Sequence, residues 1–221
     1  MLLDTHAHYD DEAFDADRDE LLESLKEHGI RKVINAGASV ESSYTGLRLA
    51  ERYPWMYAAL GAHPNHAEEL SDRVLSDFAE LAKHPKVVAI GEIGLEYHYE
   101  EPPRDVQKIW FRRQLDLAAE TGLRYTELGF YIGIGGVVTF KNGKKMKEVA
   151  SAVPLTSILL ETDSPYLSPE PKRGKRNDSR NLPYIAQEIA RIKGITEEEV
   201  QRVTEENALR CFPKLADGEV C

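Results

Sequence analysis

Residues 1–8 read MLLDTHAH, a short apolar run followed by two histidines with one residue between them. The same grammar recurs downstream. GAHP stands at 61–64, VVAIGEIG at 87–94 and ILLETDSP at 158–165, each closing an apolar run with groups able to do chemistry. Candidate strands therefore fall at 2–5, 32–36, 56–61, 87–91, 130–135 and 157–161. They are β-branched or continuously apolar, as strands buried on both faces must be. Candidate helices fall at 17–28, 40–52, 71–83, 104–120, 182–192, 196–203 and 205–211. The first carries Leu21, Leu22 and Leu25 on one stripe and stops at Gly29; Thr196 and Glu199 read as a capping box. Lys141, Lys144, Lys145 and Lys147 read as a solvated helix face. Strands alternating with helices make βαβ units and a parallel sheet.

The bulk properties narrow the class. The chain has 221 residues, 28 basic against 38 acidic, for a net charge of −10. That balance argues against a general polyanion-coating surface, though not against a local basic patch. No apolar run approaches the ~20 residues of a membrane span, and the N-terminal run is cut short by Asp4 with no basic stretch before it. A cytoplasmic protein of one α/β domain, residues 1–221, with no obligate protein partner, is the expectation. Cys211 and Cys221 both sit at the C-terminus, so no disulfide framework is expected.

His6, His8, His63, Glu92 and Asp163 each lie at the C-terminal end of an apolar run. In parallel α/β folds that edge carries the site, because its loops converge. Residues two apart share a strand face, so His6 and His8 point together with Ala7 opposite. Paired imidazoles are natural metal ligands, and Glu92 and Asp163 add oxygen donors. Singly, each has an ordinary explanation: a turn histidine, a capping aspartate, a surface acid. Their delivery by separate strands to one edge is what argues for a metal centre. A phosphate substrate also needs positive charge. The stretch 170–180, EPKRGKRNDSR, supplies a net +3 through Lys172, Arg173, Lys175, Arg176 and Arg180 against Glu170 and Asp178. Arginine grips phosphate bidentately, so Arg173 and Arg176 are candidate substrate contacts, with His63 beside them and Asn177 orienting the loop. Tyr97 and Tyr99 are expected to pack at the core or rim, with base stacking as the alternative. His28, His66, His84 and His98 are expected to be surface residues.

Taken in order, DTHAH, GAHPN, VVAIGEIGLEYHY, FYIGIGGVVTF, LLETDSPYLSPEP, RGKRN and TEENALRCF resemble the TatD family of metal-dependent hydrolases, over residues 2 to about 212. The resemblance implies a TIM-type (β/α) barrel of the amidohydrolase kind, two divalent cations and phosphodiester hydrolysis at DNA 3′ ends. It places His6, His8 and Asp163 on one cation, with Glu92 bridging to a second. The metal is open among Zn, Mn, Mg, Fe and Co, Mg being the poorest match to imidazole. Asp163, with Glu92, carries the catalytic role, Asp163 as general base toward water. Other outcomes are an ester or amide hydrolase such as a D-aminoacyl-tRNA deacylase, and a non-catalytic metal- or nucleic-acid-binding remnant.

The chain departs from the family in one place. Two further histidines, in HxR-like and HCF-like strands, belong between Gly122 and Leu128, where this chain has only RYTE at 124–127; no histidine follows His98. Six strands stand where a TIM barrel has eight, so two strand–helix units are missing. Either the working protein contains an internal segment absent from this sequence, or the deletion is genuine. The intact motifs favour the first, which predicts a break near 123–128. The second predicts two exposed strand edges. A smaller departure is Glu96, where the family usually carries Asp.

Overall fold

A computed structural model describes residues 1–99, 101–123 and 130–218 of the chain. The six apolar runs are strands, and every pairing among them is parallel: β1 (Leu2–Ala7), β2 (Ile30–Ala36), β3 (Met56–Leu60), β4 (Val87–Ile90), β5 (Ile132–Ile134) and β6 (Ile158–Leu160). β1 to β4 form one sheet in chain order, and β5 pairs with β6. The two sheets meet at β1. Ala7 bridges Ser164, the His8 amide donates to the Ser164 carbonyl at 2.7 Å, and Thr5 Oγ1 donates to the Leu160 carbonyl at 2.9 Å. The resulting arc, β5-β6-β1-β2-β3-β4, is six strands of a barrel with no strand closing β4 to β5 among the described residues. Ile132 and Phe130, on the β5 side of that gap, are exposed. The junction at 124–127, whose continuity the sequence brings into question, lies outside the described residues.

Alternation along the strands separates two apolar layers. Leu2, Val33, Ala58, Val87 and Ile158 pack in the larger cluster with the helices. Their neighbours Leu3, Ile34, Tyr57, Val88 and Leu159 form a second cluster inside the curve of the sheet, with Leu215 from the C-terminal segment. Burial on both faces is why these strands are continuous apolar runs rather than alternating ones. The helices α1 (Arg18–Ser24), α2 (Val40–Arg52), α3 (Asp72–Leu81), α4 (Arg104–Glu120), α5 (Lys144–Ala152), α6 (Leu182–Lys193) and α7 (Glu197–Cys211) cover the arc. Ser39, Ser71 and Thr196 cap α2, α3 and α7 by accepting amide hydrogens from Ser42, Val74 and Glu199.

Two helical expectations are corrected. The stretch 17–28 is α1 followed by a 3₁₀ turn, Leu25–His28, ended by Gly29 at φ 76°. The expected break near residue 204 is absent and α7 is continuous. Thr204 is buried and donates its hydroxyl to the Val200 carbonyl at 2.8 Å, which lets a β-branched residue sit mid-helix. Lys214 donates to the carbonyls of Ala82, His84 and Val87, so the C-terminal segment plugs the end of the arc where the strands begin. Among the described residues, no helix is long and apolar enough to cross a membrane. Cys211 is a free thiol; Cys221 lies outside the described residues.

Candidate metal centre

At the other end of the arc, where the strands finish, His6 and His8 turn the same way while Ala7 is fully buried in the core. Their Nε2 atoms are 3.1 Å apart. The Nδ1 of His8 lies 2.9 Å from the Ala36 carbonyl. A carbonyl only accepts, so Nδ1 carries the proton and Nε2 of the neutral ring is left with its lone pair facing the site. Glu92, just after β4, brings Oε2 to 3.5 Å from His6 Nε2 and 3.6 Å from His8 Nε2. Asp163, just after β6, brings Oδ1 to 3.7 and 3.4 Å from the same two nitrogens. Donor atoms of His6, His8 and Glu92 lie within 4.8 Å of one another. Two imidazoles on one cation at ~2.1 Å bonds sit roughly 3.0–3.4 Å apart for right-angle to tetrahedral geometry. The 3.1 Å separation fits that range, and mixed imidazole and carboxylate donors suit a first-row divalent cation.

Without a cation the centre is held together as an ion cluster. Burial alone would lower the His6 imidazole, but its hydrogen bond with Glu92 and the charges of Glu161, Glu92 and Asp163 hold it up at about 9. His8 is raised too, burial being outweighed by Asp163 and Glu92. Burial works to raise Glu92, yet the bond from His6 and the charges of His6, His8 and His63 bring it below the usual carboxylate range.

The loop bearing Asp163 is fixed by its own backbone. Asp163 sits at φ 56°, a left-handed conformation that Asp tolerates better than most residues. Its amide donates to the His6 carbonyl at 2.9 Å, and its carbonyl accepts from the Tyr166 amide at 2.8 Å. Behind it, Asp4 accepts from the Thr162 amide at 3.0 Å, the Thr162 hydroxyl at 2.6 Å and the Ser179 hydroxyl at 2.5 Å. This buried carboxylate ties β1 to the loop after β6; burial, opposed by those hydroxyl bonds, moves it up to about 6.

His63 reaches the same centre, with Nε2 3.8 Å from Glu92 Oε1 and Nδ1 accepting from the Asn65 amide at 3.2 Å. A cleft of about 530 Å³ opens over these groups, its further walls including Asp11, Tyr99 and Tyr166. Tyr99 and Tyr166 expose their rings. Tyr97, instead, lies under the Arg104 guanidinium at 4.6 Å. His66, expected to be an ordinary surface residue, lines the cleft and pairs with Glu69 at 2.6 Å.

Three candidate substrate contacts are not brought to this cleft. Arg173 lies over the Phe140 ring at 4.1 Å. Arg176 makes a bidentate pair with Asp17 at 2.6 and 2.7 Å and stacks on Phe14. Asn177 is fully buried. Its amide nitrogen donates to the carbonyls of Thr162 and Tyr166 at 2.9 and 2.7 Å, a brace for the loop rather than a surface. Sequence reasoning missed Glu161. This acid is half-buried, and a Cβ built on Gly133 would meet its Oε2 at 2.1 Å, so a side chain at 133 would displace it. Burial raises the carboxyl, with Asp163, Asp4 and Glu92 adding to it against His6. The signal was present: Glu161 stands two residues before Asp163 in LLETD.

Comparison with known proteins follows the same lines. The model of the family described as TatD related DNase matches residues 3–125 and 120–213, two pieces that meet where the missing units would lie. YabD of Bacillus subtilis (strain 168), described as an uncharacterized metal-dependent hydrolase, is 36% identical over 252 positions. That match covers 96% of this chain and 99% of the relative. It spans more positions than the 221 residues of this chain, so part of the relative has no counterpart here. A 3′-5′ ssDNA/RNA exonuclease TatD from Erwinia tasmaniensis is 29% identical, covering 90% of this chain and 95% of that one. Among solved structures, the TatD homologue YjjV of Escherichia coli superposes with a TM-score of 0.88 at 27% identity, covering 96% and 98% of the two chains.

Proposed function

Because the chain belongs to the TatD family of metal-dependent hydrolases, we propose that it is a deoxyribonuclease, releasing nucleotides from the 3′ end of single-stranded DNA in the cytoplasm, and that residues 1–221 work as one domain. The observation that carries the reading is the meeting of His6, His8, Glu92 and Asp163, drawn from the ends of three strands, with each imidazole Nε2 within 3.7 Å of both carboxylates. His6, His8 and Asp163 would hold a divalent cation, with Glu92 beside it. The bound cation supplies Lewis acidity toward a phosphoryl oxygen and acidifies water at neutral pH. The chain's own groups do the rest. His8 is locked in the tautomer that offers Nε2 by the Ala36 carbonyl. Asp163 takes a proton from the attacking water, its backbone fixed at the mouth by its amide bond to the His6 carbonyl and by the Tyr166 amide on its own carbonyl. His63 Nδ1 accepts from the Asn65 amide, which leaves Nε2 to donate one hydrogen bond to phosphate. The exposed rings of Tyr99 and Tyr166 suit unpaired bases, which stack on aromatics whatever their sequence.

Replacing Asp163 with Asn tests this directly. A folded Asp163→Asn protein loses about 10²–10⁴-fold in release of nucleotides from a 5′-labelled single-stranded oligonucleotide, the usual worth of a general base. Undiminished cleavage by the variant removes Asp163 from the role. The absence of any hydrolysis by the wild type, with a cation bound, favours the remnant reading that the missing histidines raise.

A further inference from the structure

The basic residues of 170–180 do not enter the metal cleft, yet they form a recess of their own. A hollow of about 450 Å³ is lined by Lys172, Lys175, Arg176, Arg180, Tyr184 and His28, with Asp178 and Asn181. Asp178 is spoken for: it holds Arg180 at 2.8 and 2.9 Å. Arg176 is likewise held by Asp17. Lys172 and Lys175 are exposed, and no carboxylate pairs with either among the described residues. The hollow thus keeps at least two uncommitted cations in a chain of net charge −10.

The recess is connected to the catalytic cleft. A shallower depression between them is lined by Asp11 and Tyr166, which also line the cleft, and by Lys175 and Arg176, which also line the hollow. Tyr166 stands on the path, its ring exposed and its hydroxyl donating to Asp11 Oδ2 at 2.7 Å. Asp11, Glu12 and Asp15 also line the depression and repel a phosphate backbone, so the attraction along it comes from Lys175 and Arg176.

We propose that single-stranded DNA leaves the metal cleft across the face of Tyr166 and seats a phosphate, away from the scissile bond, in the Lys172–Lys175 hollow. This rests on the nuclease reading and adds a second anchoring point to it. Such an anchor gives affinity without sequence preference and makes binding depend on strand length, since the strand must span both places.

The test is equilibrium binding of a fluorescent single-stranded 12-mer with a phosphorothioate backbone, with Mn²⁺ present, by anisotropy across a salt series. The double variant K172E/K175E binds about tenfold or more weakly near 0.1 M salt. Its log affinity against log salt is shallower by about 0.7, for the one single-strand phosphate that the lysine pair no longer neutralises. A second double variant, K144E/K145E on α5, makes the same change in net charge elsewhere and binds as the wild type does. Equal weakening in both variants, or none in K172E/K175E with its melting temperature unchanged, overturns the proposal. So does a wild type that does not bind the 12-mer. Wild-type binding abolished only in K172E/K175E, with an unmodified 12-mer left uncut, sinks the nuclease reading while the hollow stands.

Discussion

Replacing Asn177 separates a brace from a substrate contact. The side chain is fully buried and all its hydrogen-bonding capacity is used. Nδ2 donates to the Thr162 and Tyr166 carbonyls; Oδ1 accepts from the Asp178 amide at 3.0 Å and from Asn181 Nδ2 at 2.8 Å. Asn177→Ala leaves two carbonyls, the Asp178 amide and the Asn181 side-chain amide without these partners. At ~1–3 kcal/mol per orphaned group, partly relieved by water, the loss is about 4 kcal/mol. In a chain of this size that lowers Tm by about 8–16 °C, using ~2–4 °C per kcal/mol. Asn177→Asp is the sharper perturbation. It keeps the shape but turns an acceptor oxygen toward two carbonyl oxygens, so at pH 8 it destabilises at least as much as Ala. Burial and those oxygens raise the new carboxyl's pKa above its unfolded value near 4. The folded state therefore takes up the proton first, and the variant recovers stability relative to wild type as pH falls through the raised value. Urea melts followed by far-UV circular dichroism at pH 8 and pH 5.5 measure both effects. An Asp variant within ~1 kcal/mol of wild type at pH 8, or a deficit unchanged at pH 5.5, refutes the buried-brace reasoning.

Cation affinity depends on pH in a calculable way. With His6 at about 9 in the cation-free protein, ~1% of rings are neutral at pH 7, so affinity falls about tenfold per pH unit below 9 and one proton or more is released on binding. Calorimetric titration with Mn²⁺ in two buffers of different ionisation enthalpy reads the released proton, and affinity flat between pH 6.5 and 8.5 rejects it. At the open edge, Ile132→Lys places a charge on an exposed β5 position and lowers concentration-dependent association in sedimentation velocity; association unchanged by it means the edge is not where copies meet.

What was legible in the sequence is what depends on local pattern. β1 to β4 and β6 are short, densely apolar runs because both faces are largely buried, and that composition needs no partner to be recognised. His6, His8, Glu92 and Asp163 were legible as one group because a parallel sheet sends all its strand ends to one edge. Partner choice was not legible. Arg176 pairs with Asp17, 159 residues away in the chain, and nothing in RGKRN distinguishes that arginine from a free one. Asn177 follows it by one residue and is buried, because the loop folds back on Thr162 and Tyr166. Glu161 escaped notice because an acid inside an apolar run looks like its end, whereas here it turns inward against a glycine of β5. The continuous α7 was hidden for a related reason: the Thr204 hydroxyl satisfies a helix carbonyl, a bond that propensity does not register.

The gap between β4 and β5 bears on how many cations the chain holds. Three of the four converging donors come from β1 and the loop after β6, and that seam is complete. Asp4 clamps it through Thr162 and Ser179, and Asn177 braces the loop behind it. Glu92 reaches it from β4, whose register with β3 is set by Ala59 with Ala89 and Leu60 with Ile90. None of these supports needs the missing strands. A second cation beside Glu92 would draw its imidazoles from those strands, and the nearest remaining histidine at that carboxylate, His63, keeps only Nε2 free at 3.8 Å. The expected outcome for the chain as it stands is one tightly bound divalent cation. Elemental analysis of protein dialysed against Mn²⁺, combined with intact mass near 24.9 kDa, gives a ratio of one. A ratio of two at that mass would mean that donors other than the absent histidines complete the second position, and the division of the site into a retained half and a missing half would be wrong.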